Sequence, residues 1–171
     1  MIKLICEKLP RILKNQKRLE KELNVKIKNR GKEVYISGKA EDEYSAEKVI
    51  EALEFGFPFS SAMEIAKEDL LFEVLNIKEF ANSKNLERIR GRIIGRKGGT
   101  LKTISHLSNC SLELKDNKIG IIGLPEDIKN AEEACRLLLK GTKQANVYAY
   151  LEKHHPRPIL DLGLKEIKKK R

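Results

Sequence analysis

Apolar positions in the second half of this 171-residue chain change period several times, and each change marks an element. Leu71 to Phe80 is rich in apolar and β-forming residues and predicts a strand. Asn85 to Ile94 predicts a short helix ending at a glycine step, and Gly99 to Leu107 a second helix with Leu101, Ile104 and Leu107 on one side. Ser111 to Leu114 alternates as a strand, Asp116-Asn117 marks a turn, and Lys118 to Ile122 is the next strand. Leu124-Pro125-Glu126-Asp127 then opens a helix, with proline and acids in its first turn. That helix buries Ile128, Ala131, Ala134, Cys135, Leu138 and Leu139, and Gly141 stops it. The predicted order is β-α-α-β-β-α.

The first half predicts the same order. Ile2 to Cys6 is a strand and Leu9 to Leu23 is helical. Val25 to Asn29 and Glu33 to Ser37 form a hairpin around Arg30-Gly31, and Glu43 to Phe55 is a helix. An offset of 85 residues superimposes the halves without gaps: Gly38 falls on Gly123, Asn24 on Asn109, Ile27 on Leu112, Ile36 on Ile121, Ala46 on Ala131 and Leu53 on Leu138. A duplicated fold follows. Leu9-Pro10-Arg11-Ile12-Leu13 then stands where Ile94-Gly95-Arg96-Lys97-Gly98 stands in the second half. Pro10 and Leu13 replace both glycines, and Ile12 replaces one of the two cations.

Between the halves, Phe55-Gly56-Phe57-Pro58-Phe59-Ser60-Ser61 is too apolar for a free linker. It reads either as an interdomain plug or as an exposed partner-binding patch. Residues 62–70 predict a short joining helix, and Gln144 to Lys153 another near the C-terminus, with Val147, Tyr148, Tyr150 and Leu151. The expected domains are 1–56, a connector 57–70, 71–155 with its C-terminal helical extension, and a basic tail 156–171.

Charge sharpens the picture. The chain carries 35 Lys/Arg against 25 Asp/Glu, a net charge of +10, which predicts an anionic partner. Residues 82–104 hold seven basic residues and one acid, and residues 153–171 seven basic and two acidic. Aromatic residues are only 5% of the chain and Trp is absent, which argues against a surface of stacking platforms. Cys6, Cys110 and Cys135 are scattered and read as buried hydrophobes in a reducing compartment, while His106, His154 and His155 suggest no metal site. Neither a membrane-spanning run nor an N-terminal leader is apparent, so a soluble, cytoplasmic protein without a membrane partner is expected.

The basic segment holds the candidate chemistry. In Gly95-Arg96-Lys97-Gly98 the glycines let a phosphate backbone approach closely, the two inner cations face it, and the turn feeds a helix N-terminus that favours negative charge. Arg90, Arg92 and Lys102 extend the positive rim, and Ile94 and Leu101 floor a groove. Leu112, Glu113 and Leu114 on the next strand supply apolar contact and main-chain hydrogen bonds to bases. A nucleotide-binding P-loop requires Gly-Lys followed by Ser or Thr, whereas Lys97 precedes Gly98-Gly99. No acidic cluster suited to two-metal chemistry stands nearby, so no catalytic residue and no cofactor is expected.

The β-α-α-β-β-α order with Ile93-Ile94-Gly95-Arg96-Lys97-Gly98-Gly99-Thr100-Leu101-Lys102-Thr103-Ile104 resembles a KH domain. More narrowly, the chain resembles the Pno/Dim/Krr group of ribosome-assembly proteins, particularly archaeal members with tandem KH domains. Glu54-Phe55-Gly56-Phe57, Arg88-Ile89-Arg90-Gly91-Arg92-Ile93-Ile94-Gly95 and Gly141 through Glu152 carry that match. The resemblance implies an α+β fold of two tandem type I KH-like domains; the first departs from its archaeal relatives, which usually keep a Gly-x-x-Gly loop there, because Pro10 and Leu13 stand in place of the glycines. It further implies binding of single-stranded small-subunit ribosomal RNA near its 3′ end during late 30S maturation. Implied partners are the Nob-type endonuclease and the α subunit of the initiator-tRNA-carrying initiation factor. The rival reading is a KH adaptor in an RNA-degrading or other RNA-processing complex.

Overall fold

A computed structural model describes residues 1–81 and 84–155. The first half runs β1 (Ile2–Ile5), α1 (Leu9–Leu23), β2 (Lys26–Arg30), β3 (Glu33–Ser37), α2 (Ala40–Phe55) and α3 (Phe59–Lys67). The second runs β4 (Leu71–Asn76), α4 (Ile77–Phe80), α5 (Leu86–Ile94), a 3-10 turn (Arg96–Gly98), α6 (Gly99–Ser108), β5 (Ser111–Lys115), β6 (Lys118–Gly123), α7 (Pro125–Leu139) and α8 (Gln144–His154). The expected basic tail over 156–171 lies outside the described residues.

Each half is built on a three-stranded antiparallel sheet, ordered β1-β3-β2 in one and β4-β6-β5 in the other. The 85-residue offset holds in the hydrogen-bonded register. Lys26 pairs with Ser37 where Ser111 pairs with Ile122, and Arg30 with Glu33 where Lys115 pairs with Lys118. It also holds where backbone geometry is demanding: Asn24 and Asn109 end α1 and α6 in the left-handed region, at φ 54° and 57°. Gly38 sits tight against Val25, as Gly123 does against Cys110; a Cβ on either glycine would meet that side chain at 3.0 and 2.5 Å respectively.

The correspondence stops upstream of α1. Only Cys6, Glu7 and Lys8 separate β1 from α1, whereas α4 and α5 intervene between β4 and the glycine turn. The first half is therefore β-α-β-β-α, with α1 a single unbroken helix, and not the β-α-α-β-β-α order expected for it. Pro10 lies in the first turn of α1, where its missing N–H costs nothing and its fixed φ suits the helix. The strand expected over Leu71 to Phe80 is also shorter. Asn76 ends it, its side chain accepting a hydrogen bond from Lys78 N at 3.1 Å, and Ile77 N turns to the carbonyl of Asn117.

Two hydrophobic cores result. The first gathers Ile12, Leu19, Ile27, Val34, Ile36, Val49 and Ile50 beneath the first sheet, and the second Ile89, Ile93, Ile104, Ile119, Ile121, Ala131 and Leu138 beneath the second. Strand β6 serves both. Ile119 and Ile121 face the second core, while Ile122 is buried in the first, with Phe72 from β4 packed beside it. The Phe55, Phe57 and Phe72 rings lie 5.8–5.9 Å apart, two of the three pairs edge to face. Phe57 is 1% exposed, so this aromatic segment fills the space between the two sheets' elements. Gly120 makes that fit possible: a Cβ there would meet both Phe55 and Phe57 at 2.7 Å. Among the described residues no helix is long and apolar enough to cross a membrane.

Candidate nucleic-acid interface

Helix α5 begins at a side-chain cap, Asn85 accepting from Arg88 N at 3.1 Å, and buries Ile89 and Ile93. It ends because Gly95 takes φ +73°, ψ −179°, a conformation reserved for glycine. Space imposes the same choice. A Cβ at Gly95 would lie 2.0 Å from Thr100 Oγ1 and 2.7 Å from Thr100 N. Lys97 and Gly98 follow in the left-handed region at φ 53° and 75°, Gly98 N donates to Gly95 O at 3.3 Å, and α6 starts at Gly99.

This turn holds Arg96 and Lys97 out in solvent at the mouth of α6, whose first turn has no acidic residue. Positive side chains and the partial positive charge of a helix N-terminus thus coincide. Thr100 is 3% exposed, and its Oγ1 accepts from Gln144 Nε2 at 2.8 Å, so α8 braces the loop from behind. Sequence reasoning missed this pair. A hydroxyl in the first turn of an apolar helix was the available signal, but its partner lies 44 positions away.

Other expected site residues divide by environment. Lys102 is exposed, its Cε 4.0 Å from where a Cβ on Gly98 would stand. Ile94 is 36% exposed and Leu101 is half-buried against the second core, which suits them to the groove floor. Arg92 belongs elsewhere. Its guanidinium donates to the carbonyls of Gly141, at 2.9 Å, and Thr142, tying α5 to the α7–α8 turn, so it is not a free rim cation. Arg90 is half-buried, its Nε sealed from solvent with no hydrogen-bond partner among the described residues, so only part of its head group faces outward.

Strand β5 also differs from expectation. Leu112 pairs with Ile121 and Leu114 with Ile119, so both side chains point into the second core, and Leu112 is 7% exposed. Glu113 pairs with Gly120 on the opposite face, toward the first half. Burial pushes its carboxyl above the usual range, with the charge of Arg11 opposing. Strict alternation explains the split, since successive side chains leave a strand on opposite faces. What β5 does offer is backbone, as the edge strand of the order β4-β6-β5.

All three cysteines are buried and unbridged, and burial pushes each thiol up to about 12. The described residues contain no group of three or more His, Cys, Asp or Glu placed to hold a metal ion.

Comparison with known proteins adds to this geometry. The model of the eukaryotic-type KH domain (KH domain type I), in the form of the second PNO1 domain, matches residues 71–156. A KH domain-containing protein of Methanocaldococcus jannaschii is 29% identical over 149 residues, covering 83% of this chain and 66% of its own length. The pre-rRNA-processing protein pno1 of Emericella nidulans is 30% identical over 142 residues, covering 79% of this chain and 55% of its own. The chain therefore spans between about half and two thirds of these relatives. A chain in the crystal structure of the a/eIF2alpha-aDim2p-rRNA complex from Pyrococcus horikoshii superposes with a TM-score of 0.81 at 28% identity, covering 90% of this chain and 93% of its own.

Proposed function

We propose that this chain, which belongs to the PNO1 type of KH-domain proteins, binds single-stranded RNA in the groove between the Gly95–Gly98 loop and the edge of β5. Its RNA is the 3′ region of small-subunit ribosomal RNA, and it acts without catalysis in late 30S maturation, in the cytoplasm. The observation that carries the reading is the loop itself. A left-handed turn displays two exposed cations at a helix N-terminus, and Gly95 leaves no room for a side chain. A KH loop of this shape clamps roughly four backbone nucleotides. Arg96 and Lys97 hold phosphates, Ile94 and Leu101 meet bases, and the open edge of β5 offers backbone groups to base edges.

The first half is read as a second KH-like unit that has lost both the loop and the helix before it. Domain limits of 1–56, 57–70 and 71–155 follow from this reading. Pre-rRNA processing in the name of the Emericella relative, and the rRNA and initiation-factor α subunit named with the Pyrococcus complex, support the ribosomal assignment. That α subunit and a Nob-type endonuclease are the protein partners proposed here. Cross-linking in cells tests the assignment. An assembly factor cross-links to the 3′ region of small-subunit rRNA and sediments with its precursors. Broad cross-linking across transcripts would replace it with an adaptor of an RNA-degrading complex.

A further inference from the structure

Three adjoining cavities meet at Leu70, just before β4, which lines all of them. The first, of about 410 Å³, lies between Ser105 and His106 of α6, Ile122 of β6 and His155. The second, of about 310 Å³, shares Glu64, Leu70 and Asn109 with it and adds Glu68 and Leu124. The third, of about 470 Å³, shares only Leu70 with these two and runs between Tyr44 of α2 and Leu71, Phe72 and Glu73 of β4. Much of the lining is apolar, and Tyr44, Leu71 and Leu124 are exposed. The charge along it is acidic. Glu64, Glu68, Asp69 and Glu73 make no ion pair within 4.0 Å among the described residues. Lys48, which also lines the third cavity, is already paired with Glu51 at 2.9 Å. In a chain of net charge +10 this cleft is a local excess of negative charge, which repels RNA and suits a basic, apolar ligand.

The chain itself carries a segment of that chemistry, and the segment starts at the cleft. His155, the last described residue, lines the first cavity, with its Nδ1 3.0 Å from the carbonyl of Leu107. That contact fixes where the chain leaves α8. Residues 156–171, outside the described residues, carry apolar Ile159, Leu160, Leu162 and Leu164 first, then Lys165 and the run Lys168-Lys169-Lys170-Arg171. From His155 outward the cleft has the matching order. Ile122, Leu70 and Leu124 line its near cavities, and Asp69 and Glu73 its far one. Sixteen residues reach at most about 50 Å, ample for three adjoining cavities of this size. Attachment at the mouth also gives the segment an effective concentration of about millimolar, an advantage no separate chain has. We infer that the cleft around Leu70 is the docking site of the chain's own C-terminal segment, whose apolar residues meet Ile122, Leu70 and Leu124 and whose cations face Glu68, Asp69 and Glu73.

The test is photo-crosslinking of the full chain in dilute solution, with a benzophenone-bearing amino acid in place of Leu162. Crosslinks are expected within one chain, mapping to the stretch from Glu64 to Glu73 or to Leu124. The variant E68K/E73K, altered at two exposed positions, is expected to lower their yield by about threefold or more. Crosslinks that join two chains assign the cleft to a second copy and overturn the inference. Crosslinks to other parts of the chain, or none, overturn it too, as does an unchanged yield in E68K/E73K. If charge reversal prevents folding, the neutral E68Q/E73Q decides, with a smaller loss in the same direction expected and an unchanged yield counting against docking. The RNA reading stands or falls separately: R96D/K97D should crosslink as the parent does, whatever becomes of its RNA binding.

Discussion

Thr100 Oγ1 stands where a side chain on Gly95 would have to begin, 2.0 Å from the position of a Cβ. The two residues make one device, because the hydroxyl that closes the space also accepts from Gln144 on α8. Gly95→Ala adds backbone strain of about 1–3 kcal/mol, because φ +73°, ψ −179° is a region open essentially to glycine alone, and an overlap of about 1–3 kcal/mol. Thr100→Ala in the same chain recovers only part, because Thr100 N remains 2.7 Å from the new Cβ. Gly98→Ala meets nothing closer than 4.0 Å and costs only the strain term, about 1–2 kcal/mol. Urea denaturation of the four proteins checks the ranking.

Arg96→Asp with Lys97→Asp reverses two solvent-exposed charges on the loop, so the melting temperature should stay within a degree or two of the parent's. RNA affinity, measured by fluorescence anisotropy, should fall by about 100-fold or more. In the parent, raising salt from about 50 to 200 mM should itself weaken binding by about two orders of magnitude if roughly five phosphates are held. A salt-insensitive parent would rule out phosphate clamping.

Arg92→Lys separates charge from geometry. Lysine keeps the cation, but its shorter side chain and tetrahedral ammonium replace the planar Nη2 whose two N–H groups donate to the carbonyls of Gly141 and Thr142. Stability should drop by about 1–3 kcal/mol. Affinity for a five-nucleotide RNA, measured well below the melting temperature, should change little.

Gly120→Ala tests the packing of the halves. The added methyl meets Phe55 and Phe57 at 2.7 Å and should cost about 1–3 kcal/mol. Because these rings sit between the two sheets' elements, limited proteolysis near residues 56–70 should accelerate. Unchanged protease resistance would place the aromatic cluster outside the interface.

The thiols give a pH prediction. Each is pushed from about 9 to about 12 in the folded protein, so the fold favours the protonated form. Stability from this source is full below about pH 9 and declines as pH rises toward 12, since the unfolded chain releases these protons first. At pH 8 a thiol reagent should find no reactive group in the native protein and three after denaturation.

Local pattern made much of this fold readable. Helix α7 and its buried face follow from the spacing of Ile128, Ala131, Ala134, Cys135, Leu138 and Leu139, all of which are buried. The 85-residue offset survives down to the strand register. Three features escaped because their causes are not local. Arg92 looks like any other cation in a basic segment until the Gly141 carbonyl, 49 positions on, is seen beside it. Leu112 and Glu113 are adjacent in sequence but face different halves, and only the pairing with Ile121 and Gly120 says which faces which. An ungapped match across the turn hid the missing helix in the first half, because α1 begins where the second half still has a loop.

Strand β6 has a consequence for how the chain comes into being. Ile122 and Phe72 complete the first hydrophobic core, yet both are made after every other residue of that core. During synthesis the amino-terminal half emerges with Phe55 and Phe57 still uncovered, and stays so until the ribosome has passed β6. Order of translation and completion of the core are therefore out of step: the half made first lacks Phe72 and Ile122 until its successor has been made.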